Sequence, residues 1–299
     1  MNYEFGFIGC GNMGGALARA ARKNLPGEQI LLANRGAEKA EALAAELGAV
    51  FGSNEEVALS CHYIFLGVKP QKMAGVLSPL AARFRERGDR FILVTMAAGI
   101  SIAQLQSMAG GHYPVIRIMP NTPAAIGCGM IQYAASENVT AEEIAFFTET
   151  MSGAGLLDSL DEALIDAGSA VSGCGPAFAD LFIEAWADGG VEIGLPRDKA
   201  IMYAAQMLMG SAQLVLESGK HPGALKDAVC SPGGSTIVGV HALEKSGFRG
   251  AVMDAVVGAY EKSLAMGKAA APSSVGTASA PAAEPTKEKS ILEKFFSGK

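Results

Sequence analysis

Phe5-Gly6-Phe7-Ile8 and the segment that follows it, Gly9-Cys10-Gly11-Asn12-Met13-Gly14, form the stretch of sequence that decides the fold. A short apolar strand leads into glycines spaced G-x-G-x-x-G, and an Ala- and Leu-rich helix is predicted from Gly15 to Lys23. In this context the first glycine permits a tight turn, the second lets a pyrophosphate approach the backbone, and the third lets helix and strand pack closely. The stretch therefore predicts a dinucleotide-binding loop, with cofactor-binding residues Gly9, Cys10, Gly11, Asn12, Met13 and Gly14.

Strands and helices alternate beyond this loop. Further apolar strands are predicted at 29–33, 63–68, 91–95 and 115–119, and an Ala/Glu-rich helix at Ala37–Leu47. Such alternation, which continues to about Leu157, predicts a parallel sheet with helices on both faces. From Asp161 onward strand signals fade, and helices are predicted at 177–193, 198–217, 235–245 and 250–268.

The fold class is accordingly an α/β Rossmann domain followed by an all-α dimerisation domain. We place the Rossmann domain at 1–158 and the helical domain at 159–268. Residues 269–299 begin as an Ala/Pro/Ser-rich segment, which predicts a disordered linker. Its last part carries Ile291, Leu292, Phe295 and Phe296 at helical spacing, so a short terminal helix and a frayed tail are both open.

Composition narrows the functional classes. The chain has 299 residues, of which 49% are hydrophobic and 18% charged, with a formal net charge of −6. Without a basic stripe, nucleic acid is a poor candidate partner, and no apolar run is long enough to predict a membrane span. Five widely spaced cysteines without a C-x-x-C pair favour reduced thiols and a cytoplasmic location. The four histidines lack metal-ligand spacing, so no metal is expected.

The end of the second predicted strand discriminates between dinucleotides. NAD enzymes place Asp or Glu there for the ribose 2′-hydroxyl, whereas this chain has Ala33-Asn34-Arg35. Asn34 can hydrogen-bond the ribose and Arg35 can pair with a 2′-phosphate. NADP(H) is therefore the preferred cofactor, with NAD(H) as the alternative if Arg35 only begins a solvated helix.

The ends of later strands supply further candidates. Lys69 follows a buried strand, where a side chain faces the ligand crevice, although a solvated lysine at a turn is the simpler interpretation. Small residues at Ala97-Ala98-Gly99 leave room for a flat ring. Asn121, between two prolines, is a candidate for the wall of the site.

A second glycine-rich loop, Cys230-Ser231-Pro232-Gly233-Gly234-Ser235-Thr236, precedes an apolar helix. Backbone N–H groups at such a helix start can hold an anion, whereas an ordinary turn with a helix cap is the alternative. Helices such as 201–209 are too apolar for exposure on a monomer, so we favour a core shared between subunits over a single bundle.

With these segments in order, the chain resembles the pyrroline-5-carboxylate reductase family over about residues 5–268. The resemblance depends on the first glycine loop and on five further motifs and a short terminal one: Val68-Lys69-Pro70-Gln71, Ala97-Ala98-Gly99-Ile100, Met119-Pro120-Asn121-Thr122-Pro123-Ala124, Val171-Ser172-Gly173-Cys174-Gly175-Pro176-Ala177, Ser231-Pro232-Gly233-Gly234-Ser235-Thr236-Ile237 and Gly247-Phe248-Arg249.

The resemblance implies NAD(P)H-dependent reduction of (S)-1-pyrroline-5-carboxylate to L-proline, the last step of proline biosynthesis. It implies a homodimer with interleaved helices, and dimers of the family commonly assemble into decamers. By position it assigns cofactor contacts to Asn34, Arg35, Asn54, Val68, Lys69, Pro70, Ala97, Ala98 and Gly99. It assigns the substrate to Ser231, Gly234, Ser235 and Thr236, and we assign Thr236 the catalytic role of hydrogen-bonding the ring nitrogen.

The chain also departs from the family pattern. Cys174 stands where a second serine is usual, Cys230 where Thr or Ser is usual, and Phe178 where Tyr is common; Ser235, Ala228 and Gly219 differ as well. Two alternatives remain open: an enzyme of the same architecture for another imine or a 2-hydroxy acid, and a non-catalytic NAD(P)-binding regulatory dimer. A catalytic lysine expected of the 2-hydroxyacid class is missing from 177–188.

Overall fold

The computed structural model describes residues 3–270, which build an eight-stranded sheet followed by a set of helices. The strands in spatial order are β3-β2-β1-β4-β5-β6-β7-β8. Their bounds are β1 Tyr3–Ile8, β2 Ile30–Ala33, β3 Val50–Phe51, β4 Cys61–Leu66, β5 Ile92–Thr95, β6 Val115–Met119, β7 Gly129–Ala135 and β8 Gly155–Ser159.

Strands β1 to β6 are parallel, as the sequence predicts. The two faces of this sheet are separately buried, because side chains alternate along each strand. Phe5, Phe7 and Phe65 pack in one core layer, whereas Ile8 and Ile64 pack in the other. Short strands that are buried on both faces explain the continuous apolar runs in the sequence.

The predicted parallel sheet is confirmed for β1 to β6, and its far edge adds a reversed pair of strands. Strand β7 runs antiparallel to β6, and β8 runs parallel to β7. Only residues 120–128 connect β6 to β7, and a parallel return needs a crossover of a dozen or more residues. The chain therefore turns back through the short 3₁₀ helix Thr122–Ile126. The apolar patterns of β7 and β8 are too weak for the sequence to predict these strands. The two-residue β3 is not predicted either.

Six helices cover the faces of the sheet: α1 Asn12–Arg22, α2 Ala37–Leu47, α3 Asn54–Ser60, α4 Pro70–Glu86, α5 Ile102–Ala109 and α6 Ala141–Met151. The predicted bounds of α2 are confirmed, whereas α1 begins three residues before the predicted Gly15, inside the glycine motif. Strand β4 stops at Leu66, two residues before its predicted end, and the Gly67 N–H still donates to the Ile8 carbonyl of β1 at 2.8 Å.

Only helices follow β8 in the described residues: α7 Ile165–Gly168, α8 Gly175–Glu192, α9 Arg197–Ser218, α10 Pro222–Ala228, α11 Ser235–Lys245 and α12 Phe248–Ala270, with a π-helical turn at Ser169–Gly173. The four predicted helices are confirmed with ends shifted by two residues or fewer. His221 is the N-cap of α10, where its ring Nδ1 accepts from the Gly223 N–H at 3.1 Å.

Large apolar side chains of this helical segment remain exposed on the single chain. They include Leu181, Trp186, Ile193, Met209, Leu216, Val238 and Met253. Such a surface is too extensive for a soluble monomer and is typical of an interface between subunits. No helix in residues 3–270 has the length and apolar character needed to cross a membrane.

The predicted boundary at 158/159 falls at the last residues of β8 and stays a prediction. The predicted linker begins at Ala269, yet α12 continues to Ala270. The rest of the linker and the short terminal helix lie outside the described residues.

Candidate active site

Four of the predicted cofactor segments lie at one edge of the sheet. The glycine loop follows β1, Asn34 and Arg35 follow β2, Val68 and Lys69 follow β4, and Ala97 follows β5. These four strands are parallel neighbours in the order β2-β1-β4-β5, so their carboxyl ends meet. The strand order reverses between β1 and β4, and ligands of open α/β sheets bind at such a switch point.

Two glycines of the loop are required by contacts within the protein. Gly9 has φ +102°, and a Cβ there would lie 2.6 Å from the Gly67 carbonyl oxygen. A Cβ on Gly14 would lie 2.1 Å from the Gly9 carbonyl oxygen. A Cβ on Gly67 would lie 2.4 Å from the same oxygen, so the β1 and β4 loops approach each other through bare backbone. Sequence analysis missed Gly67, although a glycine directly after a buried strand is the signal that marks it.

Gly11 has no such reason to be glycine. Its φ is −74°, and a Cβ there would meet no protein atom within 4 Å. Gly11 caps α1 without a side-chain hydrogen bond, whereas Ser53, Ser101 and Thr140 cap α3, α5 and α6 through capping boxes. The first N–H groups of α1 are left open next to free space, which fits the pyrophosphate of a dinucleotide.

Asn34 positions the glycine loop. Its Oδ1 accepts from the Cys10 N–H at 3.2 Å, and its Nδ2 donates to the Gly36 carbonyl at 2.9 Å. Asn34 and Asn54 line one cleft of about 430 Å³, which also includes Gly52, Ser53 and Val76. Arg35 is exposed beside this cleft. The structure thus brings together the residues that the resemblance assigns to the adenosine ribose.

The remaining strand-end residues are smaller or more exposed. Lys69 caps α4 without a side-chain bond and is exposed, whereas Val68 and Pro70 are half-buried. The Thr95 hydroxyl accepts from the Ala97 N–H at 3.3 Å and so fixes the turn at Ala97-Ala98-Gly99. Gly99 has φ +71° and lies against the backbone of Gly267 on α12.

The side-chain amide of Asn121 is not free to face a ligand, although a residue in the wall of the site is expected to do so. Its Nδ2 donates to the Ser172 carbonyl at 3.0 Å, and its Oδ1 accepts from the Met130 N–H at 2.9 Å. Asn121 is buried at 9% exposure. Its amide therefore joins the end of β6 to β7 and to the π-helical turn, a role that a Pro-Asn-Thr-Pro motif alone does not reveal.

The second glycine loop has the same form of helix start as the first. Gly234 caps α11 with φ −75° and ψ 162° and without a side-chain bond, and Gly233 has φ +69°. The Gly234 N–H donates to the Ser231 carbonyl at 3.0 Å, which leaves the N–H groups of Ser235 and Thr236 open. An open helix start of this kind suits a carboxylate.

This second loop is not joined to the sheet edge within one chain. Ser231, Ser235 and Thr236 are exposed, and α11 packs chiefly on α12. In the described residues no hydrogen bond links the loop to the strand-end segments. A site that uses both loops needs another element to bring them together.

The thiol inside the first loop is not a nucleophile. Burial raises the pKa of Cys10 to about 11, and its Sγ donates to the Ala33 carbonyl at 3.5 Å. The thiol is neutral at physiological pH, and only the thiolate attacks. Cys174 and Cys230 are half-buried free cysteines.

Comparison with known proteins shows which family shares this architecture. A family model described as pyrroline-5-carboxylate reductase dimerisation matches residues 162–266, and one described as NADP oxidoreductase coenzyme F420-dependent matches residues 4–99. Pyrroline-5-carboxylate reductase of Pisum sativum is 41% identical over 267 residues, which cover 88% of this chain and 95% of the relative. The Escherichia coli K12 enzyme of the same name is 42% identical over 272 residues, covering 90% and 100%.

A solved structure agrees with the family models and with the curated relatives. The crystal structure of Plasmodium falciparum pyrroline carboxylate reductase with NADP bound is 33% identical, with a TM-score of 0.78, and the match covers 89% of this chain and 98% of that one. Identity above 40% over nearly the whole length of curated relatives shows common family membership. The chain belongs to the pyrroline-5-carboxylate reductase family.

Proposed function

We propose that this chain reduces (S)-1-pyrroline-5-carboxylate to L-proline with NADP(H) as the hydride donor, the last step of proline biosynthesis. The observation that carries the proposal is the pair of glycine-capped helix starts, at Gly11 and Gly234, in a chain of this family. One open helix start suits the pyrophosphate of the cofactor and the other suits the carboxylate of the substrate.

The residues at the sheet edge fit the cofactor. The open N-terminus of α1 receives the pyrophosphate, and Arg35 supplies a guanidinium for a 2′-phosphate. Asn34 and Asn54 lie on the adenosine side, whereas Val68, Lys69, Pro70, Ala97, Ala98 and Gly99 lie toward the nicotinamide. Bound NADPH supplies the hydride, so the chain itself needs no strong acid or base for that chemistry.

The residues of the second loop orient the substrate. The N–H groups of Ser235 and Thr236 and the hydroxyl of Ser231 hold the carboxylate, and Gly234 keeps the backbone open to it. The Thr236 hydroxyl accepts from the protonated ring nitrogen and holds that proton in place while the imine carbon, C2 of the pyrroline ring, accepts the hydride. Binding that fixes the ring in one orientation contributes directly to the rate.

The exposed apolar surface of the helical segment supports a proposal about subunit assembly. The family model that matches the helical segment is a dimerisation model, and the exposed apolar side chains of α8 to α12 supply the interface. We propose that dimers interleave these helices, that the second loop of one subunit is completed by its partner, and that dimers assemble into decamers. We further propose a cytoplasmic location, which the five free cysteines support.

One assay separates this proposal from its rivals. NADPH oxidation is followed with pyrroline-5-carboxylate, with other cyclic imines and with 2-keto acids, each also with NADH. Turnover of pyrroline-5-carboxylate at the highest kcat/KM is expected. Higher kcat/KM with another imine would identify a different reductase, and tight NADPH binding without any turnover would identify a regulatory dimer.

A further inference from the structure

One helical run crosses the junction between the sheet and the helical segment. It comprises α7, the π-helical turn Ser169–Gly173 and α8, with Cys174 in helical conformation between the last two. In a regular helix the Ser172 carbonyl would accept from the N–H of residue 176. That residue is Pro176, which has no N–H, so the Ser172 carbonyl is left without its helical partner.

Two side chains of the sheet hold Ser172. Asn121, after β6, donates its Nδ2 to the free Ser172 carbonyl at 3.0 Å. Gln132, on β7, donates its Nε2 to the Ser172 hydroxyl at 2.6 Å, and that hydroxyl donates to the Gly168 carbonyl at 3.1 Å. Both amides are buried, at 9% and 7% exposure. The Ser172 carbonyl and hydroxyl thereby each accept a hydrogen bond from the sheet.

An ion pair reinforces this junction six residues before Ser172. Arg117, on β6, is 3% exposed and contacts Asp166 of α7 at 2.8 Å. The same π-helical turn packs against α12, the helix whose Gly267 abuts the nicotinamide-side turn at Gly99. The turn at Ser172 therefore lies between the sheet and the helix that borders the predicted nicotinamide position.

We propose that Asn121 and Gln132 are positioning residues that set the helical segment on the cofactor edge through Ser172. Asn121 replaces the backbone donor that Pro176 removes, Gln132 holds the Ser172 hydroxyl, and together they keep α8 and α12 in the register that the substrate reaction requires. In the described residues neither amide hydrogen-bonds to the glycine loop, so their loss is expected to weaken substrate turnover and to leave cofactor binding unchanged. The catalytic part of this inference rests on the proposed function.

The test is a double-mutant cycle between Asn121→Ala and Pro176→Ala. Alanine at 176 restores a backbone N–H that can serve the Ser172 carbonyl, whereas the lost bond to Met130 is common to both backgrounds and cancels. Asn121→Ala alone is expected to lower kcat/KM about tenfold, as for a buried acceptor left unpaired, and to lower the unfolding midpoint. In the Pro176→Ala background the loss is expected to shrink to about threefold or less. Equal losses in both backgrounds overturn the proposal.

A second cycle decides the matter if Pro176→Ala fails to fold. Gln132→Leu and Ser172→Ala each remove one partner of the same bond, and each also removes its own bond to the Gly168 carbonyl. Their combined loss is therefore expected to be smaller than the sum of the two single losses. Fully additive losses overturn the proposal. Asn138→Ala is the matched control, because its amide donates to the His112 carbonyl at 3.0 Å at the opposite edge of the sheet.

Two readouts keep this inference separate from the proposed function. The dissociation constant for NADPH, from fluorescence titration, is expected to stay within about twofold of wild type in every variant, and a rise of tenfold for Asn121→Ala overturns the positioning role. Hydrogen exchange at the amides of 173–180 is expected to accelerate in Asn121→Ala and to recover in the double variant. If the wild type turns over no imine, the proposed function fails, while the exchange and unfolding cycles still decide the role of Asn121.

Discussion

Gly99 and Gly267 are in direct backbone contact across the junction between the sheet and the last helix. A Cβ on Gly99 would lie 2.6 Å from the Gly267 Cα, and a Cβ on Gly267 would lie 2.8 Å from the Gly99 carbonyl oxygen. Each glycine therefore excludes a side chain on the other. Since Gly99 follows β5 at the predicted nicotinamide position, the contact ties the end of α12 to the active site.

Gly267→Ala is accordingly expected to destabilise the protein by about 1–3 kcal/mol, the range for overpacking a close contact. It should also lower kcat/KM, because the turn at Gly99 has to move. Denaturant unfolding and steady-state kinetics measure the two effects. Gly258→Ala is the control on the same helix, where a Cβ meets no atom within 4 Å; equal loss in both variants would contradict the contact.

Gly11 and Gly14 are expected to separate ligand binding from folding. Gly14→Ala should destabilise the fold, since its Cβ would overlap the Gly9 carbonyl oxygen. Gly11→Ala should keep the wild-type unfolding midpoint without ligand and weaken NADPH binding at least tenfold, by about 1.4 kcal/mol or more. NADPH fluorescence and thermal unfolding of both variants check this. Wild-type NADPH affinity in Gly11→Ala would show that the cofactor does not approach this backbone.

Thr236→Ala is expected to lower kcat/KM for pyrroline-5-carboxylate at least tenfold, about 1.4 kcal/mol, because the ring nitrogen loses its hydrogen-bond partner. The dissociation constant for NADPH should not change. Ser246→Ala, at the other end of α11, is the control. A kcat/KM for Thr236→Ala within about twofold of wild type would remove the catalytic role of this hydroxyl.

Arg35→Ala is expected to raise KM for NADPH about tenfold and to leave KM for NADH unchanged. The exposed guanidinium loses a charge-assisted pair only with the cofactor that carries a 2′-phosphate. Kinetics with both cofactors give the ratio. Arg85→Ala removes an exposed arginine on α4 as the control, and a parallel change for NADH and NADPH would exclude 2′-phosphate recognition by Arg35.

Two buried thiols are expected to make stability fall in alkaline solution. Burial raises the pKa of Cys10 to about 11 and that of Cys61 to about 12, from an ordinary value of 9.0. Below pH 9 both thiols are protonated in the folded and unfolded chains, so their contribution is fully present. Between pH 9 and about 12 only the unfolded chain ionises, and stability is lost.

Denaturant midpoints between pH 8 and pH 11 measure this loss. The slope should flatten in the Cys10→Ala, Cys61→Ala double variant and persist in Cys128→Ala, which removes an exposed thiol. An unchanged slope in the double variant would assign the alkaline loss to other groups.

Local sequence signals predict the parts of the fold that local physics determines. The helix Ala37–Leu47 and the helix Ser235–Lys245 have their predicted bounds, because each is marked by its own apolar spacing and flanking glycines. The glycine loop after Ile8 is likewise placed correctly, since its spacing encodes a tight turn.

Other features depend on parts of the chain far apart in sequence. Strand β7 runs antiparallel to β6 because the connection between them is too short for a crossover. The pattern of apolar residues in 129–135 does not indicate in which direction the strand runs. The sequence predicts Asn121 only as a residue in the wall of the site. Its hydrogen-bond partner Ser172 lies 51 positions away, so the motif alone does not reveal the bond. The missing N–H of Pro176 is visible in the sequence, yet only the fold shows which side chain replaces it.

Helices α1, α2 and α11 begin at glycine caps and lack the side-chain bonds that the capping boxes give to α3, α5 and α6; of the three, α1 and α11 begin at the loops assigned to ligands. Under the proposed function, phosphate would complete the first N–H groups of α1 and carboxylate those of α11, so each ligand would act as the N-cap that the chain itself omits. Bound ligand therefore adds to folding stability, by about 2.7 kcal/mol at a hundredfold excess over its dissociation constant. The lifetime of the folded protein in a cell is thereby coupled to the supply of reduced cofactor, so a shortage of reducing power would lower the amount of this protein as well as its rate.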